Sequence, residues 1–194
     1  MLEKIKYNDY KLKYSDYKLK SDMKTTTMTF LLIFAFGGIF GFVYEELFYR
    51  IDLGYFVKRG TTMGPWIPIY GYGSILITAA TCRLRKKPLM VFLTGGLVSG
   101  MLEYATGYYC YYVAGIRLWD YNKEILNWGN IDGFICLRSV LFFALSSLIL
   151  IYMLIPFIQY LKDRLSKRTF GLMSLGTGLL FFADAVAADI LHLY

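Results

Sequence analysis

The sequence predicts an all-α, polytopic integral membrane protein with about five transmembrane helices and a cytoplasmic N-terminus. Three observations lead to this prediction. Hydrophobic residues make up 57% of the 194 residues and the mean hydropathy is +0.45, whereas a soluble domain averages roughly 45–50% apolar residues. The apolar residues are concentrated in long runs, each close to or longer than the ~20 residues that cross a ~30 Å hydrocarbon core. Basic residues flank these runs unequally.

Residues 1–26 are predicted to form a basic cytoplasmic tail. The tail contains an internal repeat, in which residues 7–13 (YNDYKLK) are followed by residues 14–20 (YSDYKLK). Its first 24 residues include seven lysines and four acidic residues, so we expect it to contact the anionic headgroups of the inner leaflet. Residues 27–194 would then form the helical transmembrane domain.

Five apolar runs are the candidate membrane spans. They cover approximately residues 27–48, 65–82, 88–113, 134–161 and 170–193. Three of them carry pairs of small residues one helical turn apart, namely Gly37 and Gly41, Gly96 and Gly100, and Ser174 and Gly178. Small residues at this spacing allow helices to approach closely, so we expect helix contacts at these faces.

The distribution of lysine and arginine predicts the orientation. A cytoplasmic N-terminus puts fifteen basic residues inside, in the tail and in the turns near 83–87 and 162–168, and five outside, with Arg138 inside a span. This asymmetry follows the positive-inside rule. It also accounts for the net charge of +7, so we expect membrane lipids as partners. We expect no nucleic acid partner, since no basic motif with interleaved aromatic residues is present.

Charged residues that are costly in a bilayer mark the candidate site. Glu103 lies about two-thirds of the way out along the third run, where an ionised side chain costs at least ~2.5–3.5 kcal/mol and needs a partner or a wet cavity. Glu45 and Glu46 lie near the end of the first run. Arg59 lies in the first outer loop, and Arg138 lies about one turn into the fourth run. Carboxylates and guanidinium groups at one depth compensate each other.

Two residues of the second outer loop, Trp119 and Asp120, complete the candidate set. Tryptophan at a bilayer surface is commonly an interfacial anchor, and Asp120 beside it would help to shape a headgroup pocket. Arg59 and Arg138 suit a phosphate or carboxylate, which a guanidinium binds bidentately. Glu103 would accept a proton or pair with an arginine. The alternative interpretation is a structural ion-pair network that holds the helices in register.

The sequence favours no metal and no cofactor. His192 is the only histidine, and a site with Asp189 would need a third ligand such as Asp184. The chain has no G-x-x-x-x-G-K-[ST] loop for a nucleotide. It has neither a serine nucleophile elbow nor an H-E-x-x-H motif, so no catalytic residue is identified and enzymatic activity stays undecided.

Several short motifs follow one another in a characteristic order. They are Tyr44-Glu45, Arg59-Gly60, Gly64-Pro65, Pro68-Ile69-Tyr70-Gly71-x-Gly73, Glu103-Tyr104, Trp119-Asp120-Tyr121, Asn130, and Gly133-x-Ile135-Cys136-Leu137. Over approximately residues 41–158 their order and spacing resemble the putative ABC-transporter type IV family, the CmpB-like membrane proteins. The resemblance implies a permease that works with a separate ATPase subunit.

Three functions are compatible with these observations. The first is a permease-like, multi-pass protein of the cell membrane that handles a small molecule or lipid through an outward-facing polar cavity. The second is a membrane enzyme that acts on a lipid headgroup at the outer leaflet, with Glu103 or Asp120 as general base. The third is a non-catalytic accessory subunit with a purely structural charge network. A homo-oligomer is compatible with each of them.

Overall fold

The computed structural model describes residues 23–190, which form a bundle of helices. These helices are α1 (Met23–Leu53), α2 (Pro68–Thr81), α3 (Pro88–Tyr112), α4 (Leu137–Ile149), α5 (Ile155–Arg164) and α6 (Lys167–Ile190). A 3-10 turn at Tyr121–Lys123 lies in the second loop, and the π-helical segment Leu150–Leu154 joins α4 to α5. The N-terminal repeat, the side chain of Asp189 and His192 lie outside the described residues.

Four helical segments of the described chain are long and apolar enough to cross a membrane. They are Thr27–Leu53, Pro88–Tyr112, Leu137–Arg164 and Lys167–Ala188. The third combines α4, the π-helical segment and α5. The predicted all-α polytopic membrane architecture is therefore confirmed, while the cytoplasmic position of the N-terminus stays a prediction.

The second predicted span contains a helix, α2, of only 14 residues. At 1.5 Å per residue this helix is about 21 Å long, shorter than the ~30 Å core. It begins at Pro68, where the missing N–H group of proline does little harm. The preceding chain folds back into the bundle, where the Ile67 amide donates to the Gly38 carbonyl (3.0 Å) and the Gly64 amide donates to Asp184 (2.7 Å). Irregular backbone is tolerated at membrane depth when its polar groups are bonded within the protein.

The small residues lie at helix contacts, as predicted. Gly37 and Gly41 contact Ser74 and Tyr70 of α2, Gly96 and Gly100 contact Ala144 and Val140 of α4, and Ser174 and Gly178 contact Met28 and Leu31 of α1. A Cβ atom at Gly41 would overlap the Tyr70 ring. These close approaches place α1 and α2, and α3 and α4, side by side.

The dense apolar core occupies the half of the bundle near the short turns at 82–87 and 165–166. It contains Leu32, Ile33, Ile77, Val91, Leu150, Ile151, Ile155, Ile158 and Phe170. The π-helical segment in this core directly precedes Pro156. Because proline removes a helical hydrogen bond and clashes with the preceding turn, a regular α-helix cannot continue through it without distortion. The charged candidate residues lie toward the opposite end of the bundle.

Candidate functional site

A polar cluster lies where α1, α2, α3 and α4 meet the two longer loops. We define the polar cluster as Glu45, Tyr49, Arg59, Tyr70, Glu103, Tyr121, Glu124, Arg138 and Ser139. All except Ser139 line a cavity of about 40 Å³, and Ser139 hydrogen-bonds to Glu103. Four of the predicted elements, namely the first, third and fourth runs and the first outer loop, therefore meet at one place.

The first ion pair of the polar cluster joins Arg59 to Glu45. The Arg59 Nε donates to Glu45 Oε2 at 2.9 Å, and the Tyr70 hydroxyl donates to Glu45 Oε1 at 3.0 Å. The Arg59 guanidinium lies 3.8 Å above the centre of the Tyr49 ring. Burial acts to lower the pKa of Arg59, but the charge of Glu45, its hydrogen bond and the neighbouring Tyr49 and Glu124 together hold this pKa above its usual value. Glu46 accepts the Arg59 backbone amide at 3.2 Å.

The second ion pair joins Arg138 to Glu124. The Arg138 Nη2 donates to Glu124 Oε2 at 2.6 Å, and the Tyr49 hydroxyl donates to Glu124 Oε1. The guanidinium also lies 3.9 Å above the centre of the Phe48 ring. Its Nε and Nη1 atoms are buried and find no hydrogen-bond partner within residues 23–190. Arg138 therefore carries two buried donors that the described protein groups do not use.

Glu103 is 5% exposed and is bound by hydroxyl groups rather than by a cation. Its carboxyl accepts from the Tyr121 hydroxyl and from Ser139 Oγ (2.8 Å), and none of the ion pairs among the described residues includes it. Burial first, and then the neighbouring Glu103, raise the pKa of Tyr121 well above its usual value, so Tyr121 stays a hydrogen-bond donor at neutral pH.

Ser139 gives Glu103 hydrogen bonds in either protonation state. The Cys136 carbonyl also lies 2.8 Å from Ser139 Oγ. An ionised Glu103 accepts from Ser139, whereas a protonated Glu103 donates to Ser139, which then donates to the Cys136 carbonyl. The arrangement therefore suits a carboxyl group that gains and loses a proton.

Asp120 lies outside the polar cluster. Its carboxylate pairs with Arg117 (3.0 Å) and Lys123 (3.8 Å) and accepts from the Asn122 amide (3.1 Å). Burial acts to raise the pKa of Asp120, but the hydrogen bonds from Asn122 and the two positive charges hold it below its usual value. These contacts order the second loop, and they leave the Asp120 carboxylate outside the cavity wall.

Trp119 contributes to the cavity wall, and Asp184 supports the first loop. The Trp119 Nε1 donates to the Phe134 carbonyl at 2.9 Å, and its side chain lines the 40 Å³ cavity. The Asp184 carboxylate accepts the Gly64 amide and the Trp66 Nε1, each at 2.7 Å. Asp184 therefore hydrogen-bonds to residues of the first loop and lies outside the polar cluster.

Within the part of the chain that the structure describes, no three His, Cys, Asp or Glu side chains are grouped to hold a metal ion.

A larger cavity, the apolar chamber, extends from the polar cluster toward the middle of the bundle. Its volume is about 290 Å³, and it is lined by Phe36, Gly37, Ile39, Phe40, Ile69, Tyr70, Gly73, Ser74, Ile77, Ser99, Leu102, Glu103, Phe143, Ser146, Ile149, Leu150 and Leu154. Four residues, Ile69, Tyr70, Glu103 and Phe143, line both cavities. The two cavities are therefore adjacent, and Glu103 lies between them.

The sequence predicted both partners of the first ion pair, Arg59 and Glu45, but only Arg138 of the second. The cluster residues that it did not identify are Glu124, Tyr49, Tyr70, Tyr121 and Ser139. Glu124 lies in an outer loop where an acidic residue is unremarkable by composition. One signal was present in the sequence, since two arginines in an apolar setting need two carboxylates, but it pointed to Glu103 with Glu45 or Glu46 as the charge partner. The hydroxyl partners carry no charge and leave no comparable signal in the sequence.

Comparison with known proteins gave one match. The family model described as "Putative ABC-transporter type IV" matches residues 32–188. The matched segment includes every residue of the polar cluster and of the apolar chamber. Comparisons with curated proteins and with solved structures returned no match.

Proposed function

Because the chain belongs to the putative ABC-transporter type IV family, we propose that it is the membrane-spanning component of a transporter and binds an anionic group of its substrate in the polar cluster. One observation carries this proposal, namely that two buried donors of Arg138, beside a cavity, find no hydrogen-bond partner among residues 23–190. A buried donor without a partner costs about 1–3 kcal/mol. A phosphate or carboxylate oxygen in the cavity would accept from these donors and offset that cost.

Charge balance supports a role for Glu103 in the same step. Arg59 and Arg138 are already balanced by Glu45 and Glu124, so an incoming anion adds an uncompensated negative charge. Protonation of Glu103 removes one negative charge from the cluster, and the Ser139 hydroxyl accommodates the protonated form. We therefore assign Glu103 as the proton or charge partner of the bound anion.

The orientation and the partners belong to the same proposal. The positive-inside rule puts the polar cluster on the outer side of the cell membrane, so the site would take its substrate from that side. Membrane lipids surround the spans, and a separate ATPase subunit would supply energy, because the chain has no P-loop of its own. Co-purification of a P-loop ATPase with the tagged full-length chain would support this partner.

The main competing function is an accessory subunit with a structural charge network. It is favoured by the fact that both arginines already have carboxylate partners. For the enzymatic alternative, the position of Asp120 outside the cavity wall leaves Glu103 as the candidate general base. Binding of an anion distinguishes the transporter from the accessory subunit.

The test compares Arg138→Gln with Arg50→Gln in the detergent-purified full-length chain. Inorganic phosphate and a water-soluble, short-chain phosphatidic acid are the probes, and the thermal unfolding temperature is measured. A ligand at a hundredfold excess over its Kd stabilises the native state by about 2.7 kcal/mol. We expect one or both probes to stabilise the wild type and Arg50→Gln, whose exposed side chain bonds to Gly54, but not Arg138→Gln.

Two results would contradict the proposal. Either the wild type is stabilised by neither probe, or Arg138→Gln is stabilised as strongly as the wild type. The first result would favour the accessory subunit. The second would mean that the anion binds at a site other than Arg138.

A further inference from the structure

We propose that the apolar chamber holds one hydrocarbon chain of an anionic membrane lipid, which enters from the bilayer between α1 and α4. This inference rests on the proposed function, since the anionic group of the same lipid would occupy the polar cluster. The substrate would then be an anion that carries a hydrocarbon chain rather than a small water-soluble anion.

The wall of the apolar chamber suits hydrocarbon. Most of its residues are apolar, and two of its three serines, Ser99 and Ser146, bond to their own helices. The Ser99 hydroxyl donates to the Gly95 carbonyl (2.7 Å), and the Ser146 hydroxyl donates to the Phe142 carbonyl (2.8 Å). Because these hydroxyls are satisfied by their own helices, the middle of the chamber offers water few partners, and apolar cavities of this kind bind apolar ligands.

The volume of the chamber limits the occupant to one chain. At about 290 Å³ the chamber is at the lower end of the roughly 300–1,000 Å³ typical of ligand pockets. It also extends from Glu103 at the polar cluster to Leu154 of the π-helical segment, so its long direction follows the helices. One extended hydrocarbon chain fits this form better than a compact ligand.

The chamber is open toward the hydrocarbon region. Two of its lining residues, Phe40 and Ile149, keep 39% and 43% of their surface exposed. Phe40 lies at the centre of the span Thr27–Leu53, about 20 Å from either end, and Ile149 is similarly central in Leu137–Arg164. An opening at this depth faces lipid chains rather than headgroups.

The opening lies between α1 and α4, whose backbones do not pack closely within the described chain. Aromatic rings span the gap instead, with Tyr44 stacked on Phe142 (3.4 Å between ring centres) and Phe40 at 6.1 Å from the same ring. Rotation of such rings admits a chain without breaking helix contacts. The neighbouring sides of the chamber are closed, because α1 and α2, and α3 and α4, meet through glycines.

The chamber and the polar cluster provide one continuous site for an amphiphile. Tyr70 and Glu103 line both cavities, and Arg138 lies in the polar one. A lipid with its chain in the chamber therefore has its charged end beside the unused donors of Arg138. A zwitterionic lipid of equal chain length would lack the net charge that the arginines favour.

Photo-crosslinking in nanodiscs tests the inference on the full-length chain. The discs contain phosphatidylcholine with a small fraction of phosphatidylglycerol that carries a diazirine near the middle of one acyl chain. We expect adducts on the chamber residues Phe143, Ser146 and Leu150, mapped by peptide mass spectrometry. Unlabelled phosphatidylglycerol should compete for these adducts, and additional phosphatidylcholine should not.

Two glycine-to-leucine variants, one that fills the chamber and one that does not, provide a matched comparison. Gly73→Leu would extend a side chain into the chamber, since its Cβ position has only Leu102 nearby (3.6 Å), whereas Gly176→Leu on α6 extends into open space. Because one extra methylene in a pocket changes binding by about tenfold or more, we expect Gly73→Leu to reduce the chamber adducts at least about tenfold. Gly176→Leu should leave them unchanged.

The results separate this inference from the proposed function. Wild-type adducts confined to lipid-facing residues such as Leu179 and Phe182, or equal labelling of Gly73→Leu and the wild type, would overturn the chain site. If stabilisation by phosphate persists in those cases, the anion site stands without the chain site. Chamber adducts without any stabilisation by phosphate or short-chain phosphatidic acid would retain the chain site and reject the proposed function.

Discussion

At the scale of single residues, Glu103 shows how a bundle accommodates an acidic group in an apolar helix. The sequence indicates that Glu103 needs a partner or a wet cavity, as a proton acceptor or as the ion partner of an arginine. In the structure the two arginines bind Glu45 and Glu124, while Tyr121 and Ser139 bind Glu103. Hydroxyl partners satisfy a neutral carboxyl as well as an ionised one, so the hydrogen bonds do not require a charge at this position.

Substitution of Glu103 tests whether the hydrogen bonds or the charge matter for folding. We expect Glu103→Gln to keep nearly wild-type thermal stability, because an amide still accepts from Tyr121 and donates to Ser139. Glu103→Ala leaves the Tyr121 hydroxyl without its partner, whereas Ser139 keeps the Cys136 carbonyl, so the substitution should cost about 1–3 kcal/mol. Thermal unfolding in detergent measures both, with Glu46→Gln as the control. Equal losses for Gln and Ala would mean that an ionised carboxylate is required.

At the scale of elements, close packing of α3 against α4 positions the acid opposite its partners. Glu103 and Gly95 lie on the buried face of α3, and Ser139 and Ser147 lie on the facing side of α4. The small-residue spacing predicted this kind of contact, but the partner helix of each pair was not deducible. Periodicity identifies a face, whereas the choice of partner depends on the whole bundle.

A pair of glycine substitutions tests this packing. A Cβ at Gly95 would overlap the Ser147 side chain, and overpacking of this kind costs about 1–3 kcal/mol. We expect Gly95→Ala to lower the unfolding temperature despite a gain in helix propensity of up to about 1 kcal/mol. Gly176→Ala, which meets no atom within 4 Å, should leave stability unchanged or raise it. A stabilised Gly95→Ala would show that α3 and α4 are less closely packed.

At the scale of the whole molecule, the polar cluster and the dense apolar core lie at opposite ends of the bundle. The dense core surrounds Val91 and Ile158 near the short turns, whereas the polar cluster is covered by the longer loops. The short α2 and the chain that folds back before it leave room for the apolar chamber between these ends. This division suits a protein that binds a polar group at one end of the bundle and is held together by apolar packing at the other.

Cysteine labelling tests the orientation of the whole bundle. In a variant without the native cysteines, Lys123→Cys should react with a membrane-impermeant maleimide in intact cells, because the Lys123 side chain is 84% exposed on the predicted outer side. Arg83→Cys, in the opposite turn, should react only after permeabilisation. The reverse pattern would place the polar cluster on the cytoplasmic side and contradict the positive-inside prediction.

The sequence by itself determined the membrane class, the helical runs, the small-residue faces and the residues whose charge needs compensation. These properties depend on composition and on spacing along one segment. Only the tertiary structure decided that Arg138 pairs with Glu124, that α2 has 14 residues, and that the polar cluster adjoins an apolar chamber. Each of these depends on side chains that are distant in sequence and meet in space, because burial makes the energy of a polar group depend on its neighbours in the fold.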